Sequence, residues 1–117
     1  MYNYDSVTDL FKNLSDPNRL RVLLLLRKRP VCVCEFDNIL KISLSTISTH
    51  LKLLKASGLI RSKKDGRWVI YELADNSSLE KILADLELSL KDDYQYNEDM
   101  KRISEITRDN CTNQQKR

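Results

Sequence analysis

Turn-forming residues are scarce in this chain, with two glycines and two prolines in 117 residues. Because 32% of the residues are charged as well, that scarcity excludes a sandwich or barrel built on many tight turns and favours helices. Long apolar runs are also missing. The longest, Val22 to Leu26, falls far short of the ~20 residues that span a bilayer, and Arg21 and Arg27 flank it. No basic start followed by an apolar stretch is visible, so neither a secretory signal nor a membrane partner is expected; a soluble cytoplasmic protein is. Three cysteines are too few for a disulfide framework. There is no Cys-x-x-Cys pair beside a βαβ pattern, no glycine-rich phosphate loop and no distinct acid–base pair, and no enzyme is expected. What remains, a chain 41% hydrophobic, suffices for one domain with a core and is too apolar to be wholly disordered.

The net charge of +3 decides little, but its distribution is uneven. Residues 41–74 set seven basic groups (Lys41, Lys52, Lys55, Arg61, Lys63, Lys64, Arg67) against Asp65 and Glu72, a local +5. Residues 1–40 come to +1 and residues 75–117 to −3. A cationic middle between such flanks is the pattern of a local polyanion contact. A solvated charged face would give the same pattern.

Val7, Leu10, Phe11 and Leu14 recur at helical spacing. Asp16-Pro17 then reads as N-cap and first position of a second helix, apolar nearly all round from Leu20 to Leu26 and central to the core. Arg27, Lys28 and Arg29 suit its C-terminal end, and Pro30 stops it. Phe36, Ile39 and Leu40 mark a short helix that begins around Cys32 and Cys34. Ser43 caps another from Leu44 to about Ser57, and Gly58 is a fitting residue just past its end. Its apolar face holds Leu44, Ile47, Leu51 and Leu54; Ser45, Ser48, Thr49 and Lys52 line a second face. Two β-like runs, Leu59–Lys64 and Arg67–Leu73, flank an Asp65-Gly66 turn. Leu79, Ile82, Leu83, Leu86 and Leu90 form a further helical stripe. Beyond Lys91 only Met100, Ile103 and Ile106 hint at a weak helix, and residues 110–117 read as a loose tail.

Helix, helix, short helix, helix, hairpin, helix, mainly α with one β-hairpin, is the order of a winged helix-turn-helix. Four stretches make the likeness specific: Leu-Ser-Asp-Pro-Asn-Arg-Leu-Arg-Val-Leu (14–23), Cys-Val-Cys-Glu-Phe (32–36), Ser-Thr-Ile-Ser-Thr-His-Leu-Lys-Leu-Leu-Lys-Ala-Ser-Gly-Leu-Ile (45–60) and Asp-Gly-Arg-Trp-Val-Ile-Tyr-Glu-Leu (65–73). In that order and spacing they resemble the ArsR/SmtB family of bacterial metal- and metalloid-responsive repressors, over most of residues 4–90. The resemblance implies a homodimer joined through its first and last helices, and the two terminal apolar stripes fit that. Residues 1–90 are expected to form the DNA-binding and dimerisation domain, and residues 91–117 a polar C-terminal extension with a weak helix and flexible tail.

The major groove is about 12 Å wide and admits a helix with one apolar face and one small, hydrogen-bonding face. Ser45, Thr46, Ser48 and Thr49 supply short hydroxyls for base edges or phosphates, and Lys52 adds charge. His50 belongs to the recognition helix by resemblance, where it bonds phosphate or supports packing. Lys63, Lys64 and Arg67 are expected to flank the minor groove or the backbone. A dimer sets two such helices about 34–36 Å apart, so double-stranded operator DNA with an inverted repeat is the expected partner.

Cys-Val-Cys separates a sensor from a plain DNA binder, because thiolates are soft donors for thiophilic ions. Residues two apart in a regular helix point about 200° from each other. Cys32 and Cys34 therefore share an ion only where the turn is open or distorted. Binding is expected to stabilise that distorted start of the helix at 33–40 and shift the neighbouring recognition helix. Family members with this box sense As(III) and Sb(III), or Cd(II), Pb(II) and Zn(II). The cadmium and lead sensors add cysteines from an N-terminal arm, and the zinc type uses Asp and His on the last helix; residues 1–15 hold no Cys and residues 75–90 no His. The resemblance thus implies As(III) or Sb(III) as inducer ligand, with none required for folding. Where arsenic repressors carry a third Cys, this chain has Asp37. Cys111, from the same chain or the partner's, is one candidate third ligand; a small external thiol or a functionless Cys111 are the alternatives. Oxidation of Cys34 with Cys32 or Cys111 to a disulfide or polysulfide is the competing signal, and a protein-binding winged helix the competing function.

Overall fold

The computed structural model describes residues 2–115, with side chains as far as Cys111. Helix α1 (Tyr4–Leu14) opens on Asn3, whose side chain accepts from the Ser6 N–H at 2.8 Å. Helix α2 (Pro17–Lys28) starts as its Asp-Pro pair dictates: Asp16 Oδ1 accepts from the Asn18 and Arg19 N–H groups at 2.8 and 3.0 Å. Val22 to Leu26 are all buried, so α2 is the axis of the core. After Pro30 a short strand β1 (Val31–Cys32) leads directly into α3 (Val33–Leu40), which ends at Lys41 with φ 57°. Helix α4 (Leu44–Ala56) is capped by Ser43, whose Oγ accepts from the Thr46 N–H at 3.2 Å, and Gly58 at φ 74° turns the chain out of it.

Strands β2 (Ile60–Asp65) and β3 (Trp68–Leu73) form the wing. Asp65 stands opposite Trp68, so the loop is Gly66-Arg67, one residue later than the expected Asp65-Gly66. Gly66 supplies the positive φ, 62°, that a II′ hairpin needs at its first loop residue. β1 pairs with the other edge of β3, in the order β1-β3-β2, and this sets Cys32 opposite Ile70. Helix α5 (Ser77–Ser89), capped by Asn76, follows. On α1 and α5, Tyr4, Phe11 and Leu88 remain 93%, 57% and 72% exposed.

Residues 91–117 differ from expectation. The helix hinted at by Met100, Ile103 and Ile106 is present as α6 (Tyr94–Glu105), and in place of a loose tail from residue 110 the chain continues as α7 (Arg108–Gln115), both folded back on the molecule; positions 116 and 117 lie outside the described residues. Ile103, Ile106 and Cys111 are buried in the same hydrophobic cluster as Leu23 and Phe36. The reason is a polar anchor that periodicity does not register. Arg21 of α2 grips Asp99 of α6 through two bonds of 2.8 and 2.9 Å, with only 5% of the Asp99 side chain exposed. Among the described residues no helix is long and apolar enough to cross a membrane.

Candidate thiol centre and nucleic-acid interface

Helix α4 buries Ile47, His50, Leu51 and Leu54 and exposes Ser45, Thr46, Ser48, Thr49 and Lys52. Two of the hydroxyls also serve the helix itself: Thr46 Oγ1 lies 2.7 Å from Ser43 Oγ, and Thr49 Oγ1 donates to the Ser45 carbonyl at 3.0 Å. His50 faces inward. It is 8% exposed, with Nε2 3.8 Å from Asp16 Oδ1 at the start of α2, which is a packing position between two helices. Lys63, Lys64 and Arg67 are exposed on the wing. The Arg67 guanidinium stacks 4.6 Å from the centroid of Trp68. Elsewhere in this basic segment charge is already matched. The hydrogen bond from Arg61 holds the Glu72 carboxyl below its ordinary value, and Arg61 also reaches Asp75 at 3.5 Å.

The three cysteines meet behind the wing. Cys32 is the last residue of β1 and the N-cap of α3, with extended φ −95° and ψ 166°; Cys34 lies inside the first turn. The distorted helix start expected from a 200° separation is therefore not what joins them. Cys32 stands outside the helix, so its side-chain direction is set by the strand, and its Sγ comes within 3.1 Å of Cys34 Sγ. Cys111 arrives from α7 of the same chain and is disulfide-bonded to Cys34. All three sulfurs lie within 4.8 Å of one another and are buried. Among the described residues no carboxylate or imidazole joins this group, and Asp37 stands apart from it. Burial, helped by the Glu35 carboxylate, pushes the Cys32 thiol above its ordinary value.

Glu35 and Arg29 brace the centre. Glu35 Oε1 accepts from the Cys32 N–H at 3.0 Å, and Oε2 pairs with Arg29 at 2.7 Å. The same Arg29 nitrogen donates to the carbonyls of Ile103 and Ile106 at 3.1 and 2.9 Å, tying the end of α6 to the start of α3. A cleft of about 510 Å³ opens beside this brace, lined by Arg29, Glu35, Lys63, Asp65, Ile106 and Arg108 among others.

Residues 16–62 match the family described as bacterial regulatory protein, arsR family. Over 77 residues the chain is 38% identical to the HTH-type transcriptional regulator MJ1325 of Methanocaldococcus jannaschii, covering 65% of this chain and 86% of that one. The chain belongs to the ArsR family. Other relatives of this ArsR-family regulator include the arsenical resistance operon repressor of Escherichia coli, 46% identical over 66 residues and 56% of each chain. The cadmium resistance regulatory protein CadC of Listeria innocua is 44% identical over 72 residues, 59% of this chain and 60% of that one. The chain thus spans somewhat over half the length of those two. Among solved structures, the homodimeric winged helix-turn-helix DNA-binding domain of Mb0332 from Mycobacterium bovis superposes with a TM-score of 0.65 at 25% identity, over 74% of this chain and 80% of that one. This ArsR-family chain is therefore a winged helix-turn-helix transcriptional regulator, in the company of regulators rather than enzymes.

Sequence reasoning on this ArsR-family regulator missed Arg29, Glu35 and Arg108. Glu35 carried a local signal, since a Glu at the third helical position commonly reaches back to the cap N–H. Arg108 carried none, because its partner Asp65 is 43 positions away, and the tie from Arg29 to the end of α6 spans 74 positions or more.

Proposed function

We propose that this regulator represses transcription as a homodimer on an inverted-repeat operator, and lets go when As(III) or Sb(III) is held by Cys32, Cys34 and Cys111. The observation that carries this is the convergence of three buried sulfurs from one chain within 4.8 Å. Bonds from a thiolate to a metal ion are about 2.3 Å and put ligand sulfurs about 3.8 Å apart, so the set has to open slightly: Cys32 and Cys34 Sγ stand at 3.1 Å, and Cys34 must part from Cys111. The Cys34–Cys111 disulfide must first be opened by a cellular dithiol, which takes up the bond as its own disulfide and leaves two thiols; a trivalent metalloid would then supply one soft centre for up to three thiolates, each thiol proton leaving with a hydroxide as water. Zinc-like ions favour four donors, and the cluster offers three, which weighs against the Cd, Pb or Zn alternative.

On the DNA side, Ser45, Thr46, Ser48, Thr49 and Lys52 serve the groove, while Lys63, Lys64 and Arg67 serve the phosphates. The burial of His50 favours its packing role over a phosphate bond. The exposed Tyr4, Phe11 and Leu88 support pairing of α1 and α5 across a dimer.

The test uses reduced protein on an inverted repeat that it selects from random duplex at moderate salt. Arsenite is expected to weaken binding about 5- to 150-fold, the usual range for coupled sites, and Cys34→Ser to abolish the effect. Failure to select any repeat refutes the DNA assignment; indifference to arsenite refutes the sensor assignment. Release by cadmium or zinc at lower concentrations than arsenite favours the alternative ions. One observation favours a second reading, oxidant sensing: Cys34 and Cys111 are disulfide-bonded. Hydrogen peroxide taking two electrons and two protons from the reduced pair would leave as two waters, and DNA release by hydrogen peroxide but not by arsenite would decide for it.

A further inference from the structure

Besides the sheet pairing that sets Cys32 opposite Ile70, one residue joins the tip of the wing to the thiol centre. The carbonyl oxygen of Arg108, at the start of α7, lies 3.3 Å from Cys111 Sγ and 3.7 Å from Cys34 Sγ. Its guanidinium reaches the other way. Nη1 pairs with Asp65 at 2.7 Å, and the group sits 4.9 Å from the centroid of the Trp68 ring. Asp65 and Trp68 are the paired residues that close the wing hairpin, with Arg67 stacked on the same ring. The backbone of Arg108 therefore touches the sulfurs while its side chain holds the tip of the wing. The bond to Asp65 also offsets an acidic charge at the tip of the wing, next to Lys64 and Arg67 in the chain.

We infer that Arg108 is a positioning residue that ties the wing to the state of the thiol centre, so that a bond made at Cys111 is read directly at the DNA-facing hairpin. This rests on the thiol centre being the inducer site. A link at Cys111 fixes the first turn of α7, and with it the point from which the Arg108 side chain reaches out. The wing is then held against α7 and is less free to follow the DNA backbone. A second connection runs from α3 to α4, which pack together, but it does not involve the wing tip.

Trp68 is the single tryptophan of the chain, so its emission reports the wing alone. The experiment adds arsenite to reduced full-length protein without DNA and follows emission, while free thiols are counted with a chromogenic disulfide. Wild type is expected to change emission in step with the loss of three free thiols per chain. Arg108→Gln is expected to lose the same thiols with little emission change, and Arg108→Lys, which keeps the charge for Asp65, to recover part of it. On the operator, arsenite should shift the affinity of Arg108→Gln less than twofold where it shifts wild type at least fivefold. The half-buried, surface-reaching Arg108 is not needed for the core, and unchanged thiol consumption by Arg108→Gln verifies that its centre is intact. A full emission change and full release in Arg108→Gln overturn the assignment. If wild type consumes its thiols and changes emission but keeps its operator, the inducer function fails while the tie between centre and wing stands.

Discussion

Replacing Asp99 by asparagine asks whether α6 belongs to the same cooperative unit as the DNA-binding helices. The carboxylate takes two bonds from Arg21, at 2.8 and 2.9 Å, and a third from Gln95 at 2.8 Å. The two side chains are 17% and 5% exposed. Removing one partner of a buried ion pair costs about 3–5 kcal/mol, because the other charge is left uncompensated. Two features lower that figure here. Arg21 is partly solvated and keeps Asn18 Oδ1 at 3.1 Å and the carbonyls of Leu40 and Ile39 at 3.4 Å. Asparagine also retains one acceptor oxygen. The expected loss is about 2 kcal/mol. In urea, where small proteins lose about 1–3 kcal/mol per molar, the midpoint should fall by about 1 M with the slope unchanged. Pairing the change with Arg21→Gln should give less than the sum of the two losses, since one interaction is removed twice. A midpoint within roughly 0.2 M of wild type would refute the view that this ion pair anchors the extension.

Two further outcomes are expected. Burial works to raise the Asp16 carboxyl, but the N–H bonds from Arg19 and Asn18 outweigh it and hold the group below its ordinary 3.8. A depressed folded value means stability that is present above that pH and lost as pH falls through the folded value. Asp16→Ala should therefore cost about 1 kcal/mol at pH 7 and visibly less in urea melts below pH 4; an equal cost at both would count against it. On the wing, Lys64→Gln with Arg67→Gln removes two phosphate contacts from each protomer and should flatten the plot of log affinity against log salt by about 3.6 for the dimer, about 0.9 per contact. The loss should be alike for operator and random duplex, and an unchanged salt slope would remove the wing from the interface.

Local chemistry was legible where one residue decides the outcome. Asp16-Pro17, Ser43 and Gly58 each set a helix boundary through bonds or dihedrals within a few residues of themselves. The hairpin was legible, but its turn slipped by one position. Asp-Gly satisfies a turn at either register, and only the pairing of Asp65 with Trp68 fixes it. His50 shared a helix with exposed hydroxyls, and its inward aim depends on where the start of α2 lies. The extension was opaque for a different reason. Helix α6 is held by Asp99 and Arg21, separated by 78 positions, and α7 by a cysteine 77 positions from its partner. Periodicity cannot register anchors of that kind.

The cysteine pair shows why that gap matters for mechanism. The opposed directions of Cys32 and Cys34 hold only if both lie inside the helix, and the extended cap conformation of Cys32 dissolves the conflict without strain. Release of DNA then has no distorted turn to draw upon. Nor can it draw on the link to Cys111 as such. Closing a loop of this length stabilises the folded chain by about 4.5 kcal/mol in the chain-entropy account. That contribution is the same whether or not DNA is bound, and a term common to both states shifts neither. What discriminates must be a contact whose energy differs between the free and the DNA-bound wing. Among the groups touching the sulfurs, Arg108 reaches the wing tip, through Asp65 and Trp68. The C-terminal helix that pattern reasoning left as a tail is thus the element through which ligation can become selective.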